Sequence, residues 1–189
     1  PHSLDRNVGC LLYSANSLFE AIVNIEELRL YIKESPQHIP HDFIMEEELW
    51  RFAVRSVLRG KNLMCLGDAG CGKTRLAREM SKLLNRKLYS INMGSAQDAR
   101  STLIGNTHYD PHKGTYVSPS YFVEAIQQPN AIILLDEISR ANNDALNILM
   151  TVLDYDQRYL RMDERPDSPT IKVAEGVTFF MTANVGSEY

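Results

Sequence analysis

The chain of 189 residues is sparing in several residue types, and each scarcity closes a class of function. Its three cysteines, Cys10, Cys65 and Cys71, have neither the number nor the spacing of a disulfide framework or a thiolate metal site. They are expected to be reduced thiols in a cytoplasmic protein. No apolar run approaches the roughly 20 residues that cross a bilayer, and the first residues show no charged-then-apolar leader pattern, so no membrane role is expected. An excess of one charge sign is also lacking. With 20 Lys and Arg against 24 Asp and Glu, the net charge of −4 argues against a broadly basic nucleic-acid surface and leaves room only for a local stripe. A hydrophobic fraction of 44% and a charged fraction of 23% are ordinary for a globular chain of this length, which suffices for one well-buried domain with an appendage.

What is present is a complete phosphate-binding signature. Gly67-Asp68-Ala69-Gly70-Cys71-Gly72-Lys73-Thr74 fits G-x-x-x-x-G-K-[ST] without a mismatch. The apolar run Leu63 to Leu66 before it reads as a buried strand, and Lys73 to Leu84 after it reads as a helix. The glycines let backbone N–H groups close on phosphate oxygens, and the helix start adds its positive dipole end. Lys73 supplies a mobile positive charge for the β and γ phosphates, Thr74 a hydroxyl for Mg²⁺, and Arg75 completes the stretch expected to hold nucleotide. Cys71, at a helix start beside Lys73, is expected to be a reactive thiol whose modification blocks phosphate entry.

A second signature lies downstream. Ala131 to Leu135 reads as a fully buried strand delivering Asp136-Glu137 at its carboxyl end. Asp136 suits a metal held through water, and Glu137 suits polarisation of the water that attacks the γ-phosphate. A further strand, Val177 to Ala183, ends at Asn184, whose amide can hydrogen-bond γ-phosphate and attacking water. Strands alternating with helices predict a three-layer αβα architecture around a parallel sheet, with these motifs converging at the strands' carboxyl ends.

The remaining chain is read more coarsely. Asn16 to Glu34 has helical spacing of Phe19, Ile22, Ile25, Leu28 and Tyr31, and Gly9 to Tyr13 reads as a short strand. Residues 1–37 are expected to be a helical N-terminal extension, and residues 38–189 the nucleotide-binding core. Met45 to Arg59 predicts a helix with Leu49, Phe52, Ala53, Ser56 and Val57 inward. Gly94 to Ser118 reads as a long polar loop, and Pro119 as the opening of a helix capped by Ser118. Asn142 or Asn143 caps a helix with Leu146, Leu149, Met150 and Leu153 inward. Tyr159 to Met162 and Thr170 to Val173 read as a hairpin. His108, Asp110 and His112 are metal-ligand types, but a loop gives them no fixed geometry.

Taken together, Gly67 to Thr74, Ala131 to Glu137 and Phe179 to Asn184 resemble the Walker A, Walker B and sensor-1 elements of the AAA+ ATPases. Asp136-Glu137-Ile138-Ser139-Arg140-Ala141, followed by a helix, a hairpin and Thr182-Ala183-Asn184, is similar to the MoxR-type, dynein-related branch. The resemblance covers about Ile39 to Tyr189. It implies Mg²⁺-dependent ATP hydrolysis with Glu137, Lys73 and Asn184 catalytic and Thr74 and Asp136 on the metal. It also implies a homo-oligomeric ring, hexameric when full length, that remodels a protein substrate.

The same resemblance places an inserted hairpin within Ser101 to Val117, where Tyr116 is the candidate to grip substrate, and a second hairpin over Tyr159 to Val173. Arg140 is either a residue reaching a neighbouring subunit or a solvated loop arginine. Arg158, Arg161 and Arg165 are expected on a solvated face. Ile39 and Phe43, in His38 to Ile44, stand where the family contacts adenine, without its usual Val-Gly sequence. The family's fifth core strand, arginine finger, sensor 2 and helical lid lie outside these residues. An open sheet edge beside the Walker A strand and slow turnover by this chain alone are therefore expected. Other readings of the same loop are a GTP-driven restriction translocase subunit, a small-molecule kinase and a nucleotide-gated binding module.

Overall fold

Strands that are apolar on both faces must be covered on both, and the amphipathic helices between them supply the cover. The computed structural model describes residues 18–95, 98–112, 114–162 and 170–185. In chain order the elements are α1 (Leu18–Glu34), α2 (Glu47–Leu58), β1 (Leu63–Gly67), α3 (Lys73–Leu83), β2 (Leu88–Asn92), α4 (Ala99–Leu103), β3 (Gly105–Asp110), β4 (Gly114–Pro119), α5 (Tyr121–Ile126), β5 (Ile132–Asp136), α6 (Asn143–Leu153), β6 (Tyr159–Arg161), β7 (Thr170–Lys172) and β8 (Thr178–Asn184). Turns of 3-10 helix lie at Ser35–His38 and Ile138–Arg140.

β1, β8, β5 and β2 form one parallel sheet in that spatial order. On one face Tyr89, Ile91, Ile133, Leu135 and Phe179 pack with Leu103 of α4, Phe122 and Ile126 of α5, and Leu149 and Val152 of α6. On the other, Leu63, Ile132, Leu134 and Phe180 pack with Trp50, Ala53 and Val57 of α2 and Ala77 and Met80 of α3. This is the expected three-layer αβα fold. α1 adds Tyr31 and Ile32 to the second face, while Ile25 stays 45% exposed, so the full helical stripe anticipated there is not inward. Phe19, Ile22 and the strand expected over Gly9 to Tyr13 lie outside the described side chains.

Several helix faces differ from the sequence reading. In α2 the buried residues are Trp50, Ala53, Val54, Ser56 and Val57, whereas Leu49 and Phe52 are half exposed. The indole decides the rotation of this helix: Trp50 is fully buried, and its Nε1 donates to the Ser35 carbonyl at 2.9 Å, tying α2 to the turn after α1. Trp50→Ala is therefore expected to cost about 3–5 kcal/mol of stability, measurable by urea denaturation followed by circular dichroism. In α6 the inward residues are Ala145, Leu149 and Val152, with Leu146 and Met150 exposed. Asn142 is its cap, accepting from the Ala145 N–H at 2.8 Å.

The stretch Gly94 to Ser118 is not a long loop. It holds α4, capped by Asp98, and the antiparallel hairpin β3–β4, the insertion implied by the family resemblance. Pro119 ends β4, and the cap of α5 is Ser120, which accepts from the Val123 N–H at 3.2 Å. The second hairpin, β6–β7, pairs Leu160 with Ile171, and its connection 163–169, including Arg165, lies outside the described residues. Arg158 is not a solvated arginine. It donates to the Val177 carbonyl at 2.7 Å and to Asn62 Oδ1 at 3.3 Å, and its guanidinium carbon lies 5.6 Å from the Phe179 ring centroid. Burial pushes its pKa down from the usual guanidinium value.

β1 is buried on one side only. Leu63 is covered, but Met64 is 49% and Leu66 62% exposed, as befits the terminal strand of this sheet. The reading of Leu63 to Leu66 as a buried strand is thus corrected, and among the described residues β1 is the end strand of the sheet.

Candidate functional site

The strand order sets four carboxyl ends side by side. Gly67 of β1 is in register with Asn184 of β8, and Asp136 of β5 with Asn92 of β2. The Val185 N–H donates to the Gly67 carbonyl at 3.3 Å, and the Met93 N–H to the Asp136 carbonyl at 2.8 Å, so the backbone itself closes this row. The phosphate loop leaves β1 and enters α3 through Gly72, whose φ of +95° favours glycine; Gly70, at +82°, makes the turn before it.

Lys73 opens α3 and turns back into the loop. Its Nζ donates to the Gly67 carbonyl at 2.8 Å and the Asp68 carbonyl at 2.7 Å, and lies 3.7 Å from Cys71 Sγ. The ammonium is thus held at the loop's mouth by contacts that phosphate oxygens can replace. Cys71 is exposed, whereas Cys65 on β1 is partly covered and its thiol pKa is pushed up, chiefly by burial.

Thr74 and the acidic pair meet across the sheet. Thr74 Oγ1 lies 3.2 Å from both Asp136 carboxylate oxygens. Thr182, almost fully buried on β8, donates its hydroxyl to Asp136 Oδ1 and accepts from the Glu137 N–H at 3.0 Å. One hydroxyl therefore orients both acids. Sequence reasoning placed Thr182 in the Thr182-Ala183-Asn184 motif without this role, because the role depends on the β5–β8 register.

Glu137 adopts a left-handed backbone, φ +55°, which is uncommon for a residue with a side chain and lifts it off the end of β5. Its carboxylate pairs with Arg140 Nη1 at 3.2 Å. Gly94 lies against this pair: a Cβ there would run into Glu137 Oε2 and stand 3.3 Å from Asn92 Oδ1. Asn92 accepts from the Gly94 and Ser95 N–H groups at 2.8 and 3.2 Å, shaping the turn that holds Gly94 there. Asn92 and Gly94 are neighbours of the site that the sequence did not disclose.

Other anticipated residues lie elsewhere. His108 stacks on Tyr116 across the β3–β4 hairpin, centroids 5.4 Å apart, and Asp110 accepts from the His112 N–H at 2.8 Å. Among the described residues no group of three or more His, Cys, Asp or Glu is placed to hold a metal. Phe43 is buried beside the phosphate loop with its ring against Gly72, and Ile39 is partly buried in the same cluster. Arg75 is engaged by Asp42, its Nη2 2.6 Å from Asp42 Oδ1.

With this geometry in place, comparison with known proteins is decisive at family level. Residues 62–188 match the family model described as AAA domain (dynein-related subfamily). The chain belongs to this family. The AAA domain is 34% identical over 129 residues to a Thauera aromatica protein named "Putative chaperone BssE", a match covering 68% of this chain and 43% of that protein. It is 34% identical over 137 residues to a mitochondrial Lon protease homolog of Yarrowia lipolytica, and 29% identical over 138 residues to Lon protease of Chlamydia pneumoniae. These matches cover 67% and 68% of this chain, and 11% and 16% of the two Lon proteins. The AAA domain thus spans less than half the length of each of these relatives. Among its described residues no helix is long and apolar enough to cross a membrane.

Proposed function

We propose that this AAA domain binds ATP with Mg²⁺, hydrolyses it, and within a MoxR-like ring drives chaperone-like remodelling of a protein partner. The observation carrying the hydrolytic reading is the Thr182 hydroxyl, which joins Asp136 to the Glu137 backbone while Thr74 faces the same Asp136 carboxylate. Thr74 and Asp136 offer the hard oxygens that Mg²⁺ prefers, next to a glycine cradle for phosphates, so the donor set fits the ion. When bound, Mg²⁺ would neutralise charge on the phosphates.

The chain's own groups would do the rest. Backbone N–H groups of Gly67 to Thr74 bind phosphate oxygens, and Lys73 exchanges its two loop carbonyls for them. Glu137 takes a proton from the attacking water once its carboxylate leaves Arg140, and Asn184, at the end of β8 beside Gly67, orients that water. The name of BssE supports a chaperone-like role, and the hairpin β3–β4 with Tyr116 47% exposed offers an aromatic contact for a polypeptide.

The reading is tested by phosphate release with ATP and GTP, each with and without Mg²⁺. Mg²⁺-dependent release from ATP, not outcompeted by equimolar GTP, is expected. A clear preference for GTP would contradict the ATP assignment, and transfer of the γ-phosphoryl group to a small molecule instead of water, with release of the nucleoside diphosphate, would contradict hydrolysis.

A further inference from the structure

Arg75 directly follows the phosphate loop, yet its guanidinium is taken up by the loop before α2. Nη2 lies 2.6 Å from Asp42 Oδ1, and Nη1 donates to the Asp42 carbonyl at 3.0 Å. The guanidinium carbon stands 5.0 Å from the Phe43 ring centroid, and Nε is 3.8 Å from Glu79 Oε1, which also holds Lys82 at 2.9 Å. Phe43 in turn fills the space beside Gly72, where a Cβ would meet its Cε2 at 2.8 Å. Gly72, Phe43, Asp42 and Arg75 therefore form a closed circuit, and Gly72 is the residue through which the phosphate loop enters α3.

We propose that Arg75 is a positioning residue: through Asp42 it clamps Phe43 against Gly72 and fixes the curvature of the phosphate loop, without touching the nucleotide. The inference rests on the nucleotide reading above. An exposed ion pair contributes little by charge alone, and Asp42 is 79% exposed at its side chain. What the guanidinium supplies is geometry. Its planar fork reaches a carboxylate and a main-chain carbonyl of the same residue while its face covers the neighbouring ring, an arrangement an ammonium cannot reproduce. The hydrogen bond from Arg75 also holds the Asp42 carboxyl below its usual range, so the partner is anionic at neutral pH. Loop N–H groups already curved for phosphate bind it without a reordering cost, which is what the clamp protects.

The test is calorimetric binding of MgATP and of magnesium tripolyphosphate to the 189-residue chain and its D42N, R75Q, R75K and D42N/R75Q variants, with thermal unfolding of each. Asp42 is exposed, so D42N is the variant least exposed to misfolding. D42N and R75Q should each weaken both ligands by about 5- to 10-fold, with the double variant no weaker than either single one, as for residues acting as a unit. R75K should stay as weak as R75Q. Recovery in R75K, a normal D42N beside a weak R75Q, or additive losses would each show Arg75 acting directly on phosphate and overturn the clamp. So would a loss seen with ATP but not tripolyphosphate. Absence of wild-type binding to either ligand would instead overturn the nucleotide reading and the clamp with it.

Discussion

Glu137→Gln is expected to leave MgATP bound and to slow phosphate release by roughly 10²–10⁴-fold. The substitution keeps the side chain's size and its left-handed backbone, which is fixed by the N–H bond to Thr182 and by the Arg140 N–H to the Glu137 carbonyl at 2.9 Å. It removes only the carboxylate that can accept a proton. Loss of a positioned general base typically slows a reaction by roughly 10²–10⁴-fold. Binding should change little, because the phosphate loop, Lys73, Thr74 and Asp136 do not depend on that carboxylate in any contact described above. The check is single-turnover phosphate release beside equilibrium binding. Equal release by the wild type and the variant would mean that this AAA domain is a binder that does not turn over, or that another group is the base.

Lys73→Met is expected to act on the other half of the cycle. Nζ is poised between the Gly67 and Asp68 carbonyls, so bringing it to phosphate costs little motion. Removing a charge-assisted hydrogen bond costs about 2–3 kcal/mol, which is roughly a 30- to 150-fold loss of MgATP affinity. Lys82→Met is the control: that ammonium lies later on the same helix and pairs with Glu79 at 2.9 Å. Weakening by Lys82→Met equal to that of Lys73→Met would show that net charge, not the position of Lys73, governs binding.

The parts legible in the sequence were those whose chemistry is local. Gly67 to Thr74 is one contiguous loop, and Asp136-Glu137 directly follows the run Ala131 to Leu135, every residue of which is buried. What escaped depends on neighbours distant in sequence. Thr182 becomes the link between the acids only because β8 lies beside β5. Arg158 looks like a surface cation until Asn62 and Val177 are brought to it. Leu49 and Phe52 share a helical stripe as plausible as that of Trp50 and Val54, and the choice is made by the Ser35 carbonyl that receives the indole N–H. The hairpin β3–β4 has exposed residues through Asn106 to Tyr109, so it lacks the alternating pattern that announces a half-buried strand. Its insertion was foreseen from the family resemblance and not from periodicity. Arg75 was legible as a residue next to the nucleotide loop, but its engagement by Asp42 depends on a segment 33 positions earlier.

The central claim, that the loop, the acidic pair and the end of β8 are one Mg²⁺–nucleotide site, is tested most directly by titrating the wild-type chain with ATP in a calorimeter with and without Mg²⁺. The account predicts saturable one-to-one binding that Mg²⁺ strengthens and that Lys73→Met weakens by roughly 30- to 150-fold. No saturable heat with MgATP, or binding unchanged by Lys73→Met, would contradict it.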